Sequence, residues 1–147
     1  SHNGKLLAYG HDTTKTLILW YVENQKQKEQ IRGKKYILQI SNVAFSANDK
    51  LLAVAISFQG DNLIVLWDVD KHRFLDKEFK HTKILTSVSF NSNDTLLASG
   101  SGDNTLRLWA VQQQTCLKVY QFTQEIKNIL FTQDDKYFTA IIGNAAA

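Results

Sequence analysis

The stretch Leu96-Leu97-Ala98-Ser99-Gly100-Ser101-Gly102-Asp103-Asn104-Thr105-Leu106-Arg107-Leu108-Trp109 decides how this chain is read. Apolar residues collect at its two ends, around a centre of Ser, Gly, Asp and Asn. Gly, Asn and Asp accept the dihedrals of tight turns, so the segment reads as strand, turn and strand. No helix N-terminus follows Gly100 or Gly102, which removes a phosphate-binding loop from consideration.

Working outward, the tripeptide Leu-Leu-Ala recurs at Leu6, Leu51 and Leu96, two intervals of 45 residues, and a weaker copy starts at Tyr137, 41 residues later. Each copy follows a polar turn: 1–5, 46–50, 91–95 and 132–136. Before the last three turns stand Val43-Ala44-Phe45, Val88-Ser89-Phe90 and Ile129-Leu130-Phe131, apolar at alternate positions as in a half-buried strand. After each of the first three Leu-Leu-Ala copies, a second apolar strand ends in Trp20, Trp67 or Trp109, spaced by 47 and 42 residues. A more polar fourth segment follows, near Lys28 to Arg32, Phe74 to Phe79 and Cys116 to Tyr120. No stretch sustains a 3.6-residue period, and β-branched and aromatic residues dominate the apolar runs, so the expectation is an all-β chain of four-stranded antiparallel units.

Composition agrees with a packed fold. The 147 residues are 44% hydrophobic, 11% aromatic and 21% charged, with a net charge of +3, enough apolar surface to offset the entropy of ordering. Cys116 is the single cysteine, which excludes an intrachain disulfide. The longest apolar runs are a few residues, far short of the roughly 20 of a membrane helix, and no leader-like segment opens the chain. The expectation is an intracellular, cytoplasmic protein without membrane insertion. With no Met, Ser1 is not a translational start, so a processed chain or a piece of a longer one is expected.

A four-stranded unit of 41 to 47 residues with Trp closing the third strand resembles the WD-repeat family of β-propellers. The named dipeptide occurs once, as Trp67-Asp68; the other units carry Trp20-Tyr21 and Trp109-Ala110. The segment from Leu96 to Trp109 follows the family pattern closely, and Lys80-His81 stands where the family has Gly-His. The resemblance divides the chain into an incomplete first blade at 1–33, a second at 34–79, a third at 80–121 and the start of a fourth at 122–147. Such an arc is an incomplete ring, completed by further sequence, a second copy or a partner.

His81, Ser99 and Asp103 are the residue types of a nucleophilic triad, but Ser99 lies mid-strand with no nucleophile-elbow sequence around it. The resemblance instead implies a buried tetrad of His81, Ser99, Asp103 and Trp109. Elsewhere the pattern is partial. Unit two keeps Asp61 and Trp67, with Tyr36 at the His place and a hairpin three residues longer, so that either Val54 or Ser57 could hold the Ser place. Unit one has His11 and Asp12 in its hairpin and Tyr9 at the Ser place, and unit four has Phe122 at the His place. The expectation is no catalytic residue. His2, His11, His72 and His81 have neither helical pairing nor a Cys companion, so no metal and no cofactor is expected.

The resemblance implies a non-catalytic scaffold that binds other proteins or peptides through its loop faces, within a multiprotein complex. Candidate partner-binding residues are Phe58 and Gln59 in the long hairpin, Lys80 and Lys83 around His81, and Asn104. Residues 1–45 carry seven Lys or Arg against three acids, concentrated at Lys26, Lys28, Arg32, Lys34 and Lys35. That patch is the basis of an alternative, nucleic-acid or acidic-tail binding, against which stands its placement on an outer strand that lysines keep from aggregating.

Overall fold

The computed structural model describes residues 1–11, 16–23, 26–31, 39–58, 60–132 and 134–143, without the side chains at 26–29 and 58. Thirteen strands and no helix occur among these residues. A three-stranded antiparallel sheet holds β1 (Leu6–His11), β2 (Thr16–Tyr21) and β3 (Lys26–Ile31) in that order. Two complete four-stranded sheets follow. The first orders β4 (Gln39–Phe45), β5 (Leu51–Phe58), β6 (Asp61–Asp68) and β7 (Arg73–His81) as a meander; the second does the same with β8 (Leu85–Phe90), β9 (Leu96–Ser101), β10 (Thr105–Ala110) and β11 (Thr115–Gln121). The pair β12 (Ile126–Phe131) and β13 (Phe138–Ile142) forms a last, two-stranded sheet. Among the described residues the sheets do not close into a ring.

Alternation in the sequence suggests half-buried strands, whereas the middle strands are buried on both faces. Leu52, Val54 and Ile56 of β5 join Leu17, Leu19 and Ile31 of the first sheet. The intervening Ala53 and Ala55 face the other way, into a cluster with Leu85, Val88, Leu97 and Trp109 of the third sheet. A third cluster joins Ala98 and Leu106 to Ile126 and Ile129. The second and third sheets are thus sandwiched between neighbours, and each fully buried Leu or Ile contributes roughly 1.5–3 kcal/mol.

The joint between blades is a knob set into a gap. A Cβ placed on Gly10 would lie 2.8 Å from Ile40 Cβ, and one on Gly100 would lie 2.6 Å from Ile126 Cγ2. Ala55 holds the matching place in the second sheet and shares a cluster with Leu85, which matches Ile40 and Ile126 in register. Small residues here let the next blade's inner strand approach.

A second joint runs through the polar turns. Asp49, Asp94 and Asp135 have φ of 60°, 61° and 55°, and Gly4 holds the equivalent place with φ 70°. Each Asp carboxylate accepts hydrogen bonds from the preceding blade's turn. Asp49 accepts from the backbone N–H of His2 (2.7 Å) and Asn3 (2.9 Å), and Asp94 from Ala47 (2.5 Å) and Asn48 (3.1 Å). Asp135 accepts from Ser92 N–H at 2.8 Å and Ser92 Oγ at 2.6 Å. The N–H bonds from His2 and Asn3 hold the Asp49 carboxyl below its ordinary pKa, against burial that pushes the other way.

Candidate functional site

One hydrogen-bonded chain crosses the third sheet. β10 supplies Trp109, β9 supplies Ser99, the β9–β10 turn supplies Asp103, and His81 arrives from the end of β7 in the preceding sheet. Trp109 Nε1 donates to Ser99 Oγ at 2.8 Å, Ser99 Oγ lies 2.7 Å from His81 Nε2, and His81 Nδ1 lies 2.9 Å from Asp103 Oδ2. The direction follows from chemistry. An indole N–H only donates and a carboxylate only accepts, so Ser99 donates to His81 Nε2 and the Nδ1–H donates to Asp103.

Burial pushes the His81 imidazole below its ordinary pKa of 6.5, against the pull of Asp103, which keeps the ring neutral in this tautomer. Burial alone would raise the Asp103 carboxyl. Hydrogen bonds from Thr105, the Thr82 N–H and His81 outweigh it and hold that carboxyl well below the usual carboxylate range. Thr105 Oγ1 donates to Asp103 Oδ1 at 2.6 Å, and the Thr82 N–H donates to Oδ2 at 3.0 Å.

Ser99, His81 and Asp103 therefore share the connectivity of a nucleophilic triad. What differs is access: Ser99 is 0% exposed and the His81 side chain 0%, and Ser99 Oγ already accepts from Trp109. A substrate carbonyl cannot reach a hydroxyl enclosed in this way. The arrangement is a strut, and it fixes loops. Asp103 pins Thr82, Ser101 Oγ donates to the Lys83 and Ile84 carbonyls at 3.0 Å each, and the Asn104 carbonyl accepts from Phe122 N–H at 2.9 Å. Three loops are locked at one end of the sheets, beside an open depression of about 680 Å³ whose lining includes Ser57, Asn62, Thr82, Lys83, Gly102 and Glu125.

The sequence candidates separate accordingly. Lys83 lines the depression and is exposed. Lys80, exposed and 3.3 Å from Glu78, lends its carbonyl to Arg107 Nη1 at 3.0 Å. Asn104 takes φ 65° at the turn. The Phe58 backbone pairs with Asp61 across the hairpin, but its side chain and Gln59 lie outside the described residues. So do the side chains of Lys26 and Lys28, together with Arg32, Lys34, Lys35, Asp12 and Tyr36.

Asp61 and Trp67 are not brought together. Asp61 is exposed at the hairpin tip, and the buried Trp67 Nε1 has no hydrogen-bond partner among the described residues. Register explains this: Val54 pairs with Val65, as Ser99 pairs with Arg107 two residues before Trp109, so a valine holds the Ser place. Ser57 lies farther along and donates instead to Asn62 Oδ1 at 2.9 Å. Trp67 relies on edge-on packing with Phe74 at 4.9 Å. The sequence reading missed the parts of Thr82 and Thr105; an Asp followed two residues later by Thr in a turn was the available signal.

Comparison with known proteins gives a consistent picture. A protein of Aspergillus oryzae (strain ATCC 42149 / RIB 40) named Eukaryotic translation initiation factor 3 subunit I is 30% identical over 102 residues, 69% of this chain and 30% of the relative. A protein of the same name from Botryotinia fuckeliana (strain B05.10) is 30% identical over 88 residues, 60% of this chain and 26% of the relative. The chain thus spans less than a third of the curated relatives it matches. The family described as WD domain, G-beta repeat matches residues 26–68 and 75–110, more than half of the chain. With its period, meandering sheets and hydrogen-bonded strut, the chain belongs to the WD domain, G-beta repeat family.

Proposed function

We propose that this chain is a stretch of a protein-interaction scaffold serving translation initiation in the cytoplasm, within a multiprotein assembly like the one its relatives' name implies. The observation that carries the reading is the buried strut. It consumes the Ser-His-Asp set of the third sheet as loop support and leaves a fixed surface, formed by Thr82, Lys83, Gly102 and Asn104, for partners to meet. Fixed loops lower the entropy a partner must overcome on docking. Their backbone-bonded geometry also suits recognition by shape rather than turnover.

The test uses the full-length protein carrying an affinity tag. Translation initiation factor 3 subunits should co-purify with it, and Lys80→Glu with Lys83→Glu should reduce that recovery with folding unchanged by circular dichroism. Undiminished recovery from the doubly substituted protein removes this loop surface from the interaction. No recovery of those subunits even with the unsubstituted protein overturns the reading.

A further inference from the structure

Three strands stand at the outer edges of their sheets, β3, β7 and β11, each with one flank of backbone left unpaired by its own sheet. An outer edge invites pairing with another chain unless charges or bulges discourage it. Two of the three are guarded. β3 carries Lys26, Lys28 and Glu29 in six residues, and β7 carries Arg73, Asp76, Lys77, Glu78 and Lys80 in nine. Lys77 also reaches to the next blade, donating to the Gln112 carbonyl at 2.9 Å.

β11 is different: Thr-Cys-Leu-Lys-Val-Tyr-Gln has Lys118 as its one charged residue. Val119 is 50% exposed on one face of the strand, and Leu117, the extra residue of the bulge between Cys116 and Lys118, is 54% exposed beside it. The bulge at the Trp109 end leaves a regular register from Lys118 to Gln121. On the opposite face, Lys118 Nζ sits 4.9 Å over the Tyr120 ring, which packs edge-on against Phe138 at 5.5 Å. That ring holds the ammonium beside the strand instead of letting it range through solvent. From Asn104 to Gln124 the chain has no acidic residue, and its charges are Arg107 and Lys118.

We propose that β11 is a strand-addition site for an extended segment of a partner protein whose residues alternate apolar and acidic. The segment extends the third sheet through backbone hydrogen bonds, lays its apolar side chains over Leu117 and Val119, and sets a carboxylate against Lys118. A second copy of this chain fits less well, since antiparallel pairing of β11 with itself about its centre brings two Lys118 side chains together. The proposal rests on the scaffold reading above and adds a second surface, the β11 edge around Leu117 to Val119, whose Gln121 end adjoins Asn104 of the fixed loops.

The probe is a synthetic N-acetylated peptide of four Val-Glu repeats, with the Val-Lys peptide as its counterpart, added to the full-length protein and followed by amide hydrogen exchange. The Val-Glu peptide should slow exchange in β11 by about tenfold or more, with β7 unchanged. Lys118→Glu should transfer that protection to the Val-Lys peptide. Leu117→Lys with Val119→Lys, both at exposed positions, should abolish it. Equal protection by both peptides, protection centred on β7, or none at millimolar peptide overturns the proposal. So does β11 protection that grows with protein concentration alone, which assigns the edge to a second copy. Recovery of initiation factor subunits, lost on substituting Lys80 and Lys83, reports separately on the loop surface, so failure at β11 leaves that reading standing.

Discussion

The Trp109 indole N–H donates to Ser99 Oγ at 2.8 Å and anchors one end of the strut, whose proton order the Asp103 carboxylate fixes from the other. Because a carboxylate only accepts, the His81 Nδ1–H points to Asp103, Nε2 of the neutral ring is left an acceptor, and the Ser99 hydroxyl hydrogen points to it. The second blade has the same tryptophan without the serine, so the two blades form an internal comparison.

Trp109→Phe removes a donor and leaves Ser99 Oγ buried with one interaction lost, whereas Trp67→Phe removes an N–H without a partner among the described residues. Both lose similar ring area. Urea denaturation of the full-length protein should show Trp109→Phe costing about 1 kcal/mol more than Trp67→Phe. Equal costs would mean that the Trp109 hydrogen bond contributes no net stability.

Acid should weaken the fold in two stages. His81 binds a proton less readily folded than unfolded, so stability is complete above its ordinary value of 6.5 and falls as pH drops below it. Asp103 is depressed likewise, so its contribution is complete above 3.8 and is lost as pH falls further toward its folded value. Urea midpoints measured from pH 8 to pH 3 should decline in that order. Replacing His81 by Phe should remove the first stage, although the protein will be less stable throughout.

Gly100→Ala sets a methyl group against Ile126, whose Cγ2 would be 2.6 Å away. The next blade's inner strand must yield, at a cost of about 1–3 kcal/mol. Adding Ile126→Ala, which removes the contacting Cγ2, should relieve part of the strain, so the double variant should be less destabilised than the sum of the two single ones. A purely additive double variant would show that the strain is relieved elsewhere.

At Asp94 two effects separate. Asp94→Gly keeps the φ of 61° accessible and loses only the carboxylate that holds the Ala47 and Asn48 amides. Asp94→Ala loses both. Thermal or urea unfolding should therefore place Ala below Gly by about 1 kcal/mol, with Gly itself below the parent.

Much of the architecture was legible in the chain because its signals are local. Turn residues at fixed spacing and Trp closing alternate strands need no distant partner to be read, and the sheets fall where those signals stand. The complete set of His81, Ser99, Asp103 and Trp109 could be picked out because all four lie within one repeat's pattern. Blade two resisted for a definite reason. Its longer hairpin left two places for the serine's counterpart, and only the cross-strand register, Val54 opposite Val65, decides between them.

The sequence by itself determined the period, the all-β class and the blade to which the strut belongs, since turn chemistry and apolar patterning act over a few residues. Tertiary structure decided what depends on neighbours packed face to face. Ser99 resembles a nucleophile in the chain and proves inaccessible only in the packed fold, fully buried with Trp109 and His81 bonded to its hydroxyl. Asp49, Asp94 and Asp135 read as turn residues, yet their carboxylates join one blade to the next across more than forty residues. The outer strand β11 is exposed because no fifth strand follows it in its sheet, a fact of topology that no local pattern carries.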